Sequence, residues 1–137
     1  MRRFLQVASA TTTGSLAGAM LLIRVVLVPA WRRTATTDFK PWFSSNAPRL
    51  RAVMVPLGVA SVAATAVNAL VTRRRRPLLG AAAAAGVVAI TTTVNEPLNA
   101  RFEGPEPVDL ADLERWARWH DARVALGFVS ALASATP

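Results

Sequence analysis

The chain has 137 residues, of which 53% are hydrophobic and 18% are charged. The charged fraction lies below the ~25% that is usual for soluble domains, and the mean hydropathy is +0.34. This composition predicts a single membrane-embedded domain over residues 1–137. The chain has no cysteine, which excludes disulfides, thiolate metal sites and cysteine nucleophiles.

Four apolar segments divide the chain, and strand-like alternation is absent. Crossing ~30 Å of hydrocarbon takes about 20 helical residues, so each segment predicts a spanning helix. A bilayer leaves helices as the means of satisfying the backbone without a closed barrel. We therefore predict an all-α, integral membrane four-helix bundle, with helices over residues 4–28, 53–71, 77–99 and 109–133. Asp109 is the predicted N-cap of the last helix.

The first helix is predicted to end at Pro29 and to be followed by a loop over residues 30–48. The aromatic and basic residues of this loop favour an anchor in the membrane interface, and a lid over a substrate entrance is the alternative. Within the first helix, Gly14 and Gly18 form a small-residue face that would allow close helix approach. A signal peptide is the competing reading of residues 1–28, but the apolar run is too long for one.

The basic residues suggest an orientation. Arg73–Arg76 form a dense cluster on the same side as Arg2 and Arg3, while a nearly equal number of mixed basic residues lies opposite. We favour both termini in the cytoplasm. The cluster is better explained by topology and contact with anionic membrane lipid than by nucleic-acid binding. Fifteen arginines against one lysine are typical of high-GC bacteria, so a bacterial inner membrane is the expected location.

Polar residues close the third segment. Asn95 and Asn99 are four apart and share a helix face, and Glu96 lies on the neighbouring stripe. Pro97 cannot donate a backbone hydrogen bond and should kink the helix there. Polar groups within apolar segments are expensive and usually face the interior of a bundle, where they serve a purpose.

The fourth segment carries a matching stripe. Trp116, His120 and Arg123 fall on one helix face at spacings of four and three, and His120 is the only histidine. In the first helix, Arg24 is predicted at a depth similar to that of Glu96. Pairing of Glu96 with Arg24 or Arg123 would make either charge tolerable. Together these residues predict a pocket between the third and fourth helices.

Two readings of this group remain open at the level of the residues. Intramembrane Asn, Thr and Trp often only hold helices together, and a lone histidine is often a hydrogen-bonding partner. A metal bound through His120, with Glu96 and Asn side chains, is a minority alternative because the ligand set is thin.

The pattern Asn95-x-Pro97-x-Asn99, a short loop, then Trp116-x3-His120-x2-Arg123 resembles the anthrone-oxygenase-like family of small four-helix membrane proteins. The resemblance is carried by specific motifs over residues 91–127. Over residues 1–72 only the four-helix layout and the length agree. It implies oxidation of a polycyclic anthrone with molecular oxygen and no other cofactor. It also implies that Asn95, Asn99, Trp116, His120 and Arg123 are the functional positions.

These residue types suit that chemistry. His120 has the pKa range of a general base near neutrality, and Arg123, Asn95 and Asn99 would hydrogen-bond an oxyanion. Trp116 offers a flat surface to a fused-ring, hydrophobic small-molecule substrate, with Glu96 and Arg24 as further substrate-binding candidates.

Two other classes compete with the enzyme. Small multidrug exporters are four-helix chains that need a membrane carboxylate, and Glu96 is the candidate here. A structural subunit of a membrane complex is the third reading, and the sequence leaves a homo-oligomer open.

Overall fold

The computed structural model describes residues 1–136, which form four helices joined by short links. The helices are α1 (Arg2–Arg33), α2 (Thr36–Thr72), α3 (Arg75–Glu103) and α4 (Leu110–Ala135). The described part of the chain contains no strand. The predicted fold class, an all-α four-helix bundle, is confirmed.

Three of the four helices are long and apolar enough to cross a membrane, namely α1, α2 and α3. The last helix differs because its charged residues are all concentrated between Asp112 and Arg123. It nevertheless packs along both α1 and α3. Each helix contacts two neighbours, in the ring order α1–α2–α3–α4, so α4 closes the bundle.

The predicted loop over residues 30–48 is wrong, because the chain is helical there except at Thr34 and Ala35. Pro29 lies within α1, and α2 already begins at Thr36 and continues through three prolines. An internal proline costs a helix ~3 kcal/mol. Burial of Phe39 and Phe43 against Phe102 of α3 offsets part of that cost, with ring centroids 5.4 Å apart in each pair.

Two wide π-helical turns interrupt the bundle helices, at Ile23–Leu27 in α1 and at Thr91–Asn95 in α3. A proline follows each turn by two residues, Pro29 and Pro97. A proline ring displaces the carbonyl four residues before it, and a widened turn accommodates that displacement. The irregularity predicted at Pro97 therefore takes the form of a π turn directly before it.

Ion pairs tie the start of α4 to its neighbours at the charged end of the bundle. Asp109 caps α4 as predicted, accepting a hydrogen bond from the Ala111 amide at 2.9 Å. Glu114 pairs with Arg32 of α1 at 2.7 Å, and Asp112 pairs with Arg101 of α3 at 2.8 Å. The hydrogen bond from Arg32 lowers the pKa of the Glu114 carboxyl below its ordinary value.

Close helix approach at a glycine is found at Gly127 of α4 and at Gly80 of α3, and not at the glycines of α1. A Cβ on Gly127 would stand 2.7 Å from the Met20 Cε and 3.2 Å from the Ala17 Cβ. A Cβ on Gly14 or Gly18 would meet nothing within 4 Å. The prediction that the Gly14 and Gly18 face allows close approach therefore has no counterpart within the bundle.

Substituting Gly127 with leucine should lower the stability of the bundle, because the side chain overlaps α1. Overpacking of this kind costs ~1–3 kcal/mol, and we expect a lower thermal unfolding midpoint by circular dichroism in detergent. Gly18→Leu is the matched control and should leave the midpoint nearly unchanged. Equal midpoints for the two variants would contradict the close α1–α4 contact.

Candidate functional site

The inner face of α4 carries the predicted stripe. Trp116, His120, Arg123 and Gly127 are all buried. Trp119, on the other face of the helix, is exposed. The helical spacing in the sequence thus predicts the face of α4 that these side chains share, which is the face buried in the bundle.

His120 is fully buried, and both of its ring nitrogens have partners. Its Nε2 lies 2.8 Å from the Met20 carbonyl oxygen, and its Nδ1 lies 2.8 Å from Nη2 of Arg123. A carbonyl can only accept and a guanidinium can only donate, so the hydrogen sits on Nε2 and Nδ1 keeps a lone pair. The ring is therefore neutral, and it stacks on Trp116 with centroids 4.7 Å apart.

Arg123 is a buried cation with 7% of its surface exposed. Its Nη1 donates to Thr91 Oγ1 at 3.2 Å, and its Nη2 donates to His120. Its Nε has no acceptor among residues 1–136. No described carboxylate comes within ion-pair distance of it. The guanidinium carbon lies 5.8 Å from the centre of the Trp116 ring.

Two asparagines of α3 reach α4 from either side of Pro97. Asn95, in the π turn, is fully buried and donates to the Trp116 carbonyl at 3.3 Å. Asn99 accepts from the Trp116 indole N–H at 2.8 Å and donates to Glu96 at 2.8 Å. These contacts hold the Trp116 ring in place from both its backbone and its indole nitrogen.

The prediction that Glu96 pairs with Arg24 or Arg123 is wrong. Glu96 lies 3.6 Å from Arg51 of α2, which also pairs with Glu103. Arg24 pairs instead with Asp121 on the outer side of α4. Arg24 is therefore paired elsewhere, whereas Arg123 has no described carboxylate within ion-pair distance. Arg24 also does not line the cavity that lies among the four helices.

A cavity of about 240 Å³ lies among the four helices. Its wall is mostly apolar, and the apolar part comes from α1, α2 and α3: Leu16, Met20, Ile23, Trp31, Phe43, Ala47, Leu50, Met54, Val55, Gly58, Val59, Val87 and Val88. Its polar lining consists of Arg51, Thr91, Glu96, Asn99, Trp116 and Arg123. The exposed Val55 and Val59 of α2 and Val88 of α3 stand at its rim, so it opens between these two helices.

The cavity separates the predicted site residues into two groups. Asn99, Trp116, Arg123 and Glu96 contribute to its lining, whereas His120 and Asn95 are not part of it. His120 lies behind the lining and touches it through Arg123 and Trp116. The site is thus built with Arg123 between the histidine and the cavity.

Sequence reasoning missed Arg51 and underestimated Trp31, and both line the cavity. In the sequence, Arg51 stands out only as one of the mixed basic residues opposite the Arg73–Arg76 cluster. Trp31 was assigned to an interfacial loop, although it is 4% exposed. The available signal was the aromatic residues between positions 30 and 48, which had suggested a lid over a substrate entrance as the alternative to an interfacial anchor.

The described residues contain no group of three or more His, Cys, Asp and Glu side chains arranged to hold a metal ion. His120, the nitrogen donor in the predicted ligand set, uses Nε2 and Nδ1 for hydrogen bonds within the bundle. The residues around it therefore form a donor and acceptor network.

The fold and the site define a small helical membrane protein with a largely apolar cavity and a buried cation at its wall. A family model described as anthrone oxygenase matches residues 39–133. The chain therefore belongs to the anthrone oxygenase family, and the match covers nearly all of α2 and α4 and the whole of α3. Searches of the curated proteins and of the solved structures found no significant match.

Proposed function

We propose that this protein oxidises a flat, lipophilic, anthrone-like aromatic substrate with molecular oxygen inside the cavity. The observation that carries the proposal is Arg123, a buried cation on the cavity wall without a carboxylate partner among residues 1–136. Membership of the anthrone oxygenase family supports this reaction class. The enolate of an anthrone connects the buried cation with this reaction.

The cavity suits a flat apolar ligand that dissolves in the bilayer. At about 240 Å³ it is close to the lower end, ~300 Å³, of the volumes usual for small-molecule sites. Its rim carries exposed valines of α2 and α3, two of the helices apolar enough to span a membrane. A substrate dissolved in the hydrocarbon could enter sideways between these helices without first crossing water.

Arg123 supplies the electrostatic part of the proposal. A buried, unpaired charge is costly because desolvation is not repaid by a partner. An anion in the cavity would repay it, and the Nε of Arg123 still lacks an acceptor within the described chain. An anthrone that loses its benzylic proton becomes an enolate, whose oxygen carries such a charge. Arg123 thus favours the deprotonated form of the substrate.

His120 is the proposed general base. Its Nδ1 lone pair is covered by Nη2 of Arg123 in the ligand-free protein. When Arg123 turns toward the developing oxyanion, that lone pair is released and accepts the proton. The enolate then reacts with oxygen. In each turnover the substrate carbon loses two hydrogens and gains one oxygen atom, and the second oxygen atom leaves as water.

The proposed reaction is tested with purified protein in lipid nanodiscs and an anthrone. We expect oxygen uptake and quinone formation in a one-to-one ratio, with label from ¹⁸O₂ appearing in the quinone. Empty nanodiscs control for spontaneous oxidation of the anthrone. A rate equal to that of empty nanodiscs, at saturating substrate, would refute the oxidation. In sealed lipid vesicles, proton-coupled cation efflux that Glu96→Gln abolishes would instead support the exporter.

A further inference from the structure

Trp31 closes the cavity at the end of α1. Its ring meets Phe39, Trp42 and Phe43 edge-on, with centroids 5.6, 5.7 and 5.9 Å away. It also meets Trp116 edge-on at 5.3 Å. Trp31 is therefore the point at which the aromatic cluster of α2 and the functional stripe of α4 come together.

The indole N–H of Trp31 is buried and has no acceptor among residues 1–136. Buried indole groups usually find a hydrogen-bond partner, because an unpaired donor in apolar surroundings is costly. The four rings that Trp31 meets are two phenyl rings and two indoles, none of which carries an oxygen. The side chain lines the cavity, and its nitrogen is covered in the ligand-free protein, so a ligand in that space reaches the N–H once the indole ring turns toward it.

The other polar groups of the lining are mutually satisfied. The Trp116 indole, Asn99 and Glu96 form a chain of hydrogen bonds, and Arg51 is paired with two carboxylates. Two residues of the wall, Trp31 and Arg123, each have a donor nitrogen that lacks an acceptor within the described chain, the indole Nε1 and the guanidinium Nε. Both side chains adjoin Trp116: the ring centre of Trp31 lies 5.3 Å and the guanidinium carbon of Arg123 lies 5.8 Å from the centre of the Trp116 ring.

We infer that Trp31 is a substrate-positioning residue whose indole N–H donates to a neutral oxygen of the ligand while Arg123 holds the ionising oxygen. The ligand class is thereby narrowed to flat, fused aromatic rings that carry oxygen substituents at two separate positions. A hydrocarbon of the same shape would leave both donors unpaired. The assignment of Arg123 to the ionising oxygen rests on the proposed function, whereas the two-point binding is tested without turnover.

The experiment compares two probes in nanodiscs, 1,8-dihydroxyanthraquinone and anthracene, with binding corrected for partition into empty nanodiscs. The variant is Trp31→Phe, which keeps an aromatic ring and removes the N–H. Trp119→Phe is the matched control, because Trp119 is exposed on the outer face of α4. The thermal unfolding midpoint of each ligand-free variant is measured alongside.

Trp31→Phe should raise the Kd of the dihydroxyanthraquinone about tenfold, the effect of one buried hydrogen bond. The Kd of anthracene should stay unchanged, and the ligand-free midpoint should not fall, since an unpaired donor is removed. Equal weakening for both probes, no weakening for either, or a fall in the ligand-free midpoint would overturn the inference. If Trp31→Phe weakens binding of the dihydroxyanthraquinone tenfold and leaves anthracene unaffected, but the protein oxidises no anthrone, the two-point site is upheld. Only the proposed reaction is then refuted.

Discussion

Replacing Arg123 with methionine is expected to lower kcat by roughly 10²–10³-fold, the usual effect of removing one donor to a developing oxyanion. Methionine fills much of the same volume but carries neither the charge nor the donors. Because the interaction with the oxyanion grows in the transition state, kcat should fall more than substrate affinity. Steady-state quinone formation, over a range of anthrone concentrations, separates kcat from KM.

Arg118→Met is the matched control for this change, since Arg118 is exposed on the same helix. It should leave both constants close to those of the unmodified protein. Arg123→Lys keeps the charge but lacks the fork that reaches Thr91 and His120 together, so we expect an intermediate rate. A rise in KM with kcat unchanged in Arg123→Met would mean that Arg123 only binds the substrate and does not stabilise the transition state.

Replacing His120 with alanine is expected to lower turnover by roughly 10²–10⁴-fold, the range for loss of a general base. The substitution also removes the hydrogen bonds to the Met20 carbonyl and to Arg123, so a structural loss would reduce the rate as well. His120→Asn separates the two effects. It retains a hydrogen-bond acceptor near the former Nδ1 and has no titratable group.

If His120 is the base, His120→Asn should be as slow as His120→Ala while unfolding at a higher temperature. In the unmodified protein, kcat/KM should fall as the pH falls, because a protonated imidazole cannot accept the proton. This acid limb should be absent from the residual activity of His120→Asn. A rapid His120→Asn enzyme with an unchanged pH profile would make His120 a positioning residue for Arg123.

The sequence alone determined those features that depend on local periodicity and composition. Long apolar segments predict membrane helices whatever their neighbours are, because the cost of unpaired backbone groups in lipid leaves few other structures. The stripe of Trp116, His120 and Arg123 follows from the period of one helix. The N-cap at Asp109 is also local, because its carboxylate accepts a hydrogen bond from an amide only two residues further along the chain.

Contacts between distant segments were decided only by the tertiary structure. Arg51 lies 45 positions before Glu96 in the chain, and nothing in either neighbourhood marks them as partners. Residues 36–48 are helical because burial of Phe39 and Phe43 outweighs the local preference of a proline-containing segment. A propensity is a property of neighbours along the chain, and packing against α3 can override it.

At the site, too, some features follow from spacing along one helix and others only from contacts between distant segments. Spacing placed Arg123 and His120 on one face, but the contact of His120 with the Met20 carbonyl depends on the approach of α1 at Gly127. The cavity, and the place of Trp31 on its wall, arise from four helices meeting. Most of the predicted site residues could be read from the third and fourth segments, whereas the unpaired donors of the cavity-lining residues arise only once all four helices have packed.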